Sequence, residues 1–137
     1  MKVMIKVFFT LVLLIMVVSC ATTPRTLPEK YNLDNELEAV NKISTFKVSR
    51  WEEVDNQSVI LRVNYNDYYL LVLRRPIYAM TSRHRIGISS TVSTITSGVD
   101  RIHVRDNTGT QYYDIEKIYK LEGKEQKEDI KERLRKD

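Results

Sequence analysis

The chain has 137 residues, 22 of them Lys or Arg and 18 Asp or Glu, for a net charge of +4, and it contains a single cysteine. That length suits one small domain, and one cysteine excludes an internal disulfide, a cysteine-rich scaffold and a cysteine-based zinc finger. Charged residues at 29% and apolar ones at 42% belong to a foldable chain rather than a disordered one.

Lys2 and Lys6 precede an apolar run over residues 7–18, interrupted only by Thr10 and followed by Ser19 and Cys20. The run is too short to cross a bilayer, which takes about 20 residues. It fits the apolar core of a secretory signal whose positive flank stays inside. An uncleaved signal anchor with an incidental cysteine conflicts with so short a core. Val17-Val18-Ser19-Cys20 resembles the lipobox of bacterial lipoproteins: two aliphatic residues, a small residue, then cysteine. The resemblance implies that residues 1–19 are a signal peptide cut before Cys20, that the Cys20 thiol carries a diacylglyceryl group, and that the new amino terminus is acylated. Each buried acyl methylene contributes about 0.8 kcal/mol, and two or more such signals give stable anchoring. The expected partner is therefore a membrane, reached through lipid on Cys20 and not through a transmembrane helix. Ala21 in place of Asp after the cysteine favours, in a Gram-negative cell, the periplasmic face of the outer membrane.

Residues 20–41 read as the lipidated cysteine and a tether. Thr22, Thr23, Pro24, Thr26 and Pro28 show no apolar periodicity. Leu33, Leu37 and Val40 fall at i, i+4, i+7 behind a cap at Asn32 or Asp34, which predicts a short N-terminal helix able to dock on the domain. As a flexible coil this segment would reach on the order of 25 Å, and fully stretched roughly 70 Å.

Residues 42–121 form the expected domain, and their signals are mostly those of strands. Thr45, Phe46 and Val48 lead to Trp51. Val59, Leu61, Val63 and Tyr65 alternate with Ile60, Arg62 and Asn64, a period of two. Residues 64–67 are a turn cluster and residues 68–73 a dense β-forming run, which together predict a hairpin ended by Pro76. Residues 77–81 are expected to form one helical turn. Ile86 and Ile88 alternate around Gly87, residues 91–96 are rich in β-branched side chains, and Gly98 separates them from an alternating run over 99–105. Asp106-Asn107-Thr108-Gly109 is a turn signal. The spacing by three of Tyr112, Ile115, Ile118 and Leu121 fits neither period and calls for a bulge or a helical turn. The expected fold is mainly β: a small six- to seven-stranded antiparallel sandwich or partly open barrel. Residues 122–137 are a charged tail, either frayed or a helix resting on the domain through Ile130 and Leu134, with acid-first i, i+4 pairs such as Asp129–Arg133 and Glu132–Lys136.

The stretch 42–121 resembles a family of small proteobacterial lipoproteins whose domain has no known function. The residues that carry the likeness are Trp51-Glu52-Glu53-Val54-Asp55, Ser58-Val59-Ile60-Leu61, Tyr69-Leu70-Leu71-Val72-Leu73, Ile86-Gly87-Ile88-Ser89-Ser90, Ser93-Thr94-Ile95, Ser97-Gly98-Val99-Asp100-Arg101-Ile102 and Ile115-Glu116-Lys117-Ile118. The resemblance implies no activity and supplies no catalytic residue. Paired cysteines found among such relatives are missing here, so no disulfide is implied.

No catalytic motif stands out. His84 and His103 lack metal-ligand spacing, and no cofactor site is expected. There is no Gly-x-Ser-x-Gly elbow and no phosphate-cradling glycine loop. Ser97, Asp100 and His103 are neighbours in sequence without being readable as a triad. The charge layout is more informative: residues 70–105 hold Arg74, Arg75, Arg83, Arg85, Arg101 and Arg105 against one acid, Asp100. In a strand over 99–105, Arg101, His103 and Arg105 share one face while Ile102 and Val104 face the core. Arginine suits bidentate contact with carboxylate or phosphate. Arg101, His103, Arg105, Arg83 and Arg85 are thus a candidate face for an anionic envelope component, such as a lipopolysaccharide phosphate, or an acidic protein. The competing reading is a solvated strand face, partly paired with Glu52, Glu53, Asp55 or Asp114. Trp51 with Tyr65, Tyr68, Tyr69, Tyr112 and Tyr113 suggests a sugar-stacking platform, against the commoner reading of half-buried core tyrosines. The small basic excess gives no sign of nucleic-acid binding. The expected function is a non-catalytic, membrane-anchored interaction or structural module of the cell envelope. A small-ligand or glycan binder is the alternative, and an enzyme of unknown type the third.

Overall fold

The structure, a computed structural model, describes Met1 and residues 26–44, 48–78, 85–89 and 93–136. Cys20, the apolar run before it, Thr45, Phe46 and Arg83 lie outside the described residues, as do three of the five residues of the turn expected over 77–81. Among the described residues a 3-10 turn, Glu29–Tyr31, precedes nine strands: β1 (Glu38–Ala39), β2 (Lys42–Ser44), β3 (Val48–Asp55), β4 (Ser58–Val63), β5 (Asp67–Leu73), β6 (Arg85–Ile88), β7 (Thr94–Thr96), β8 (Arg101–Asp106) and β9 (Gly109–Leu121). The helix α1 (Gly123–Lys136) closes the chain. The strands build a curled antiparallel half-barrel in the order β3-β4-β5-β9-β8-β6, with β1 added alongside β9, and a separate two-stranded sheet β2-β7. The fold is mainly β, and the partly open barrel is the form it takes.

Turn chemistry sets the hairpins. Between β3 and β4, Asp55 Oδ1 accepts from the Gln57 N–H (2.9 Å) and the Ser58 hydroxyl (2.7 Å). Between β4 and β5, Asn64 takes a left-handed φ of 55°, which asparagine tolerates. Between β8 and β9, Asp106 Oδ1 accepts from Thr108 N–H, Thr108 Oγ1 and Gly109 N–H at 2.6–3.0 Å.

The long strand β9 organises the sheet. Its first half pairs with β8, from Asp106↔Gly109 to Arg101↔Asp114, and its second half pairs with β5, from Leu73↔Ile115 to Tyr68↔Leu121. The register slips between Val72↔Lys117 and Leu73↔Ile115, which leaves Glu116 as an extra residue. A one-residue bulge exchanges the two faces of a strand. Tyr113 and Ile115 before it, and Ile118 after it, therefore all enter one core, while Tyr119 and Leu121 enter the other. That is the physical source of the spacing by three.

Two apolar clusters result, one on each face. The inner one holds Val59, Leu61, Leu71, Leu73, Ile102, Val104, Ile115 and Ile118, with Ile43 and Ile95 from the small sheet. The outer one holds Ile60, Leu70, Val72, Tyr119 and Leu121 beneath Tyr31, Leu33, Leu37, Ile130 and Leu134. Because β4 and β5 are covered on both sides, Ile60 is as buried as its neighbours, and the period of two in β4 marks two cores rather than one core and water.

Two expectations need correction. The segment Leu27 to Val40 is not tether: Tyr31 is fully buried, and Leu33 and Leu37 pack with it on the sheet. The expected N-terminal helix reduces to the 3-10 turn and one unextended turn, in which the Leu37 N–H reaches the Leu33 carbonyl (2.8 Å). Glu38 and Ala39 are taken instead by β9 as a strand, and the Val40 N–H donates to the Ile118 carbonyl (2.9 Å). The i, i+4 spacing of Leu33 and Leu37 needs only that one turn. At the other end the charged tail is α1, resting on the sheet through Ile130 and Leu134. No helix among the described residues is long and apolar enough to cross a membrane.

Candidate functional site

The outer face of the sheet has two halves. Over β3, β4, β5 and the second half of β9 it is roofed by the N-terminal strap (residues 27–40) and α1. Over β6, β8 and the first half of β9 no strap or helix residue covers it among the described residues. Ile102 and Val104 point inward, as expected, so Arg101, His103 and Arg105 point out. Cross-strand register sets Arg101 beside Asp114, His103 between Gly87 and Tyr112, and Arg105 between Arg85 and Thr110.

Part of this charge is balanced internally. Arg101 Nε lies 2.9 Å from Asp114 Oδ1, and Arg74 reaches Asp114 (3.8 Å) and Glu116 (2.6 Å). The Glu116 carboxylate first, then Asp114, raise the Arg74 guanidinium above its ordinary value. The competing reading thus holds for Arg101 through Asp114, whereas Glu52 and Asp55 serve the roof. Arg105 is exposed and has no acidic partner among the described residues. Arg75, at the rim, donates to the Tyr112 carbonyl (2.9 Å) and lies 5.0 Å over the Tyr113 ring, again with no acid. Tyr113 belongs to the inner core, so Arg75 is not part of the outer row, and among the described residues the uncompensated positive charge of that row sits at Arg105.

His103 lies flat in the row. Its ring occupies the space above Gly87, 6.1 Å from the Tyr112 ring centroid, and its Nδ1 is buried with no hydrogen-bond partner among the described residues. Ser97 and Asp100 do not join it: Ser97 Oγ donates to the Asn41 carbonyl (3.2 Å), and buried Asp100 accepts from the Thr96 N–H (2.7 Å). Among the described residues no three His, Cys, Asp or Glu side chains are grouped to hold a metal ion. The aromatics do not form a platform either. Tyr68 belongs to the outer core, Trp51, Tyr69 and Tyr113 to the inner one, and Tyr65 is 79% exposed on the hairpin turn, with Arg62 5.2 Å over its ring.

The sequence points to Glu52 and Asp55 as partners for the arginine face and to Asp34 as a helix cap, but not to their role as the carboxylates that hold the roof. Asp55 Oδ2 accepts from Lys30 (2.9 Å) and Tyr31 (2.7 Å), tying the strap to β3. Burial pushes the Asp55 carboxyl up, but the hydrogen bonds from Ser58, Tyr31, Lys30 and the Gln57 backbone outweigh it and hold it low. Burial and the same carboxylate raise the Tyr31 hydroxyl far above its ordinary value. Glu52 takes Lys131 (2.7 Å) and buried Lys127 (2.9 Å) from α1. The Tyr119 hydroxyl accepts from the Leu33 N–H (3.2 Å) and shares its proton between the Tyr31 carbonyl and Asp34. The signal for Asp55 was available as an acid opening a turn before Asn56-Gln57-Ser58. Nothing local marked Glu52 or Asp34, whose partners are 75–85 residues away.

Three clefts are formed by the described residues. A cleft of about 150 Å³ lies between strap and helix, lined by Lys30, Leu33, Glu36, Ile130, Arg133 and Leu134. Another of about 80 Å³ is lined by residues including Tyr78, Val104 and Tyr113. Both fall short of the roughly 300–1,000 Å³ usual for ligand pockets. An open dish of about 390 Å³ on α1 is lined by charged side chains alone. Among the described residues, the distinctive surface is a half-bare sheet face. No curated protein and no solved structure matches the chain. A family model does match, over residues 2–137, and the chain accordingly belongs to that family, DUF6491, a family of unknown function.

Proposed function

We propose that this protein is a lipid-anchored, non-catalytic interaction module of the cell envelope, held on a membrane by acyl chains on Cys20 and presenting the bare half of its outer sheet face to an anionic partner. The observation that carries the reading is the Val17-Val18-Ser19-Cys20 motif behind a short apolar run, which supplies an anchor without a spanning helix. The sheet face adds a surface: a polar row at Arg101, His103 and Arg105, flanked by Tyr112, in which Arg101 is paired with Asp114 and Arg105 is left without an acid among the described residues. In a Gram-negative cell, Ala21 after the cysteine supports the periplasmic face of the outer membrane as the address. Replacing Cys20 by Ser tests the anchor. The wild-type chain is expected to incorporate labelled palmitate, lose its leader and float with membranes, and Cys20→Ser to keep the leader and take up no label. Equal labelling of the two would refute the reading.

A further inference from the structure

The bare half of the outer face is crossed by three rungs that run from β9 over β8 towards β6. Register sets Asp114 beside Arg101 on the first, Tyr112, His103 and Gly87 on the second, and Thr110, Arg105 and Arg85 on the third. Residues directly opposite on neighbouring strands share a face, and rungs of one face repeat every two residues, about 6.6 Å.

The rungs differ in height. On the middle one Gly87 carries no side chain and the His103 ring lies over it, 6.1 Å from the Tyr112 ring and tilted 48° to it. Tyr112 itself is 52% exposed. The rungs on either side carry long guanidinium side chains. Arg101 spends its Nε on Asp114 at 2.9 Å, while Arg105 is exposed with no acidic partner among the described residues. A low aromatic floor thus crosses the strands between two arginines whose Cα atoms are about 13 Å apart.

Area decides what such a floor can hold. Three strands by five residues cover about 14 Å by 13 Å, under about 200 Å². A standard protein interface takes about 800 Å² from each partner, and the roof bounds this patch where the second half of β9 begins. A peptide strand would add at a sheet edge and not on a face. A sugar ring needs neither an edge nor a pocket: its C–H face stacks on an open tyrosine ring while its hydroxyls stay in water. An acid group on that ring suits a guanidinium fork, which takes carboxylate or phosphate in two parallel hydrogen bonds.

We infer that the rung of Tyr112, His103 and Gly87 is a shallow site for an acidic sugar, its ring laid on Tyr112 and its carboxylate or phosphate taken by Arg105. This rests on the anionic-partner reading above, whose chemistry it names, and does not depend on the lipid anchor.

The test is saturation-transfer NMR on the full chain as the cell processes it, in phosphatidylcholine vesicles, with the protein's aromatic resonances irradiated. Trigalacturonate and glucose 6-phosphate are the probes, and maltotriose and triglutamate their neutral and peptide counterparts. Transfer is expected to the ring protons of an acidic sugar: to trigalacturonate alone for a carboxylated partner, to glucose 6-phosphate alone for a phosphorylated one, to both where the fork accepts either acid. Arg105→Glu should weaken that binding at least tenfold at an unchanged urea midpoint. Tyr112→Ser should weaken it as well, and Lys42→Glu, on the small sheet, should leave it unchanged. Transfer to neither acidic sugar, equal transfer to maltotriose, or binding that survives Arg105→Glu would overturn the inference. Equal binding of triglutamate, lost with Arg105→Glu, would overturn it in favour of an acidic peptide and leave the anionic-partner reading standing. Flotation of the same vesicles reports the anchor separately, so its failure is not mistaken for failure of the site.

Discussion

An ideal Cβ built on Gly87 would lie 1.9 Å from Nε2 of His103, so the residue opposite that ring must be glycine for the ring to lie flat on the sheet. The imidazole covers a strand position that would otherwise expose backbone, a cross-strand rescue of a weak glycine. Gly87→Ala is expected to destabilise the fold by about 1–3 kcal/mol through overpacking, and His103→Ser in the same chain to recover most of that loss, as read from urea midpoints of the four variants. Additive losses would show that the two do not meet. The alternation of Ile86 and Ile88 around Gly87 was visible in the sequence, but the partner that makes the glycine necessary was not, because it lies on a strand that begins fourteen residues later.

At the scale of elements, the helix α1 is held by a few buried contacts and a carboxylate on the edge strand. Its sequence is nearly all charged, and only the i, i+4 pair Ile130 and Leu134 foretold a docked face. Glu52 of β3 takes two lysines from α1, and Arg135 donates to the carbonyls of Val54 and Glu53, covering an edge strand that already carries two register shifts. The hydrogen bond from Lys131 first, and Lys127 after it, hold the Glu52 carboxyl at about 2, against partial burial that opposes them. A carboxyl held below its unfolded value stabilises the fold fully above pH 4.5, its ordinary value, and loses that contribution as pH falls from there towards 2. Glu52→Gln should cost about 1–3 kcal/mol at neutral pH and should flatten the loss of stability across that acid window in urea titrations. A variant as acid-sensitive as the parent would place the dependence elsewhere. The hairpins were legible because turn residues and β-branched runs are local signals. The strap was legible only in part: Leu33 and Leu37 announced a buried face, but strand pairing with β9 is a long-range choice that overrode the helical spacing.

For the whole molecule, the decisive feature is a single long strand that serves two neighbourhoods. The bulge at Glu116 lets β9 feed the inner core along its length while turning its last residues outward to receive strap and helix. One half of the outer face is thereby roofed, and the arginine row is left on the other. The charge excess of residues 70–105 pointed to this face from the sequence, but ion pairing reduced it: Asp114 and Glu116 occupy Arg101 and Arg74, Arg75 stacks on the inner-core Tyr113, and the row's uncompensated charge among the described residues is Arg105. How far the domain can stand from a membrane depends on where the strap begins, because chain packed on the sheet cannot act as tether. Hydrogen exchange on the full chain measures that boundary. The amides of Leu37 and Val40, bonded to Leu33 and Ile118, are expected to exchange as slowly as those of β9; exchange at the rate of an unstructured peptide up to Val40 would contradict the packed strap.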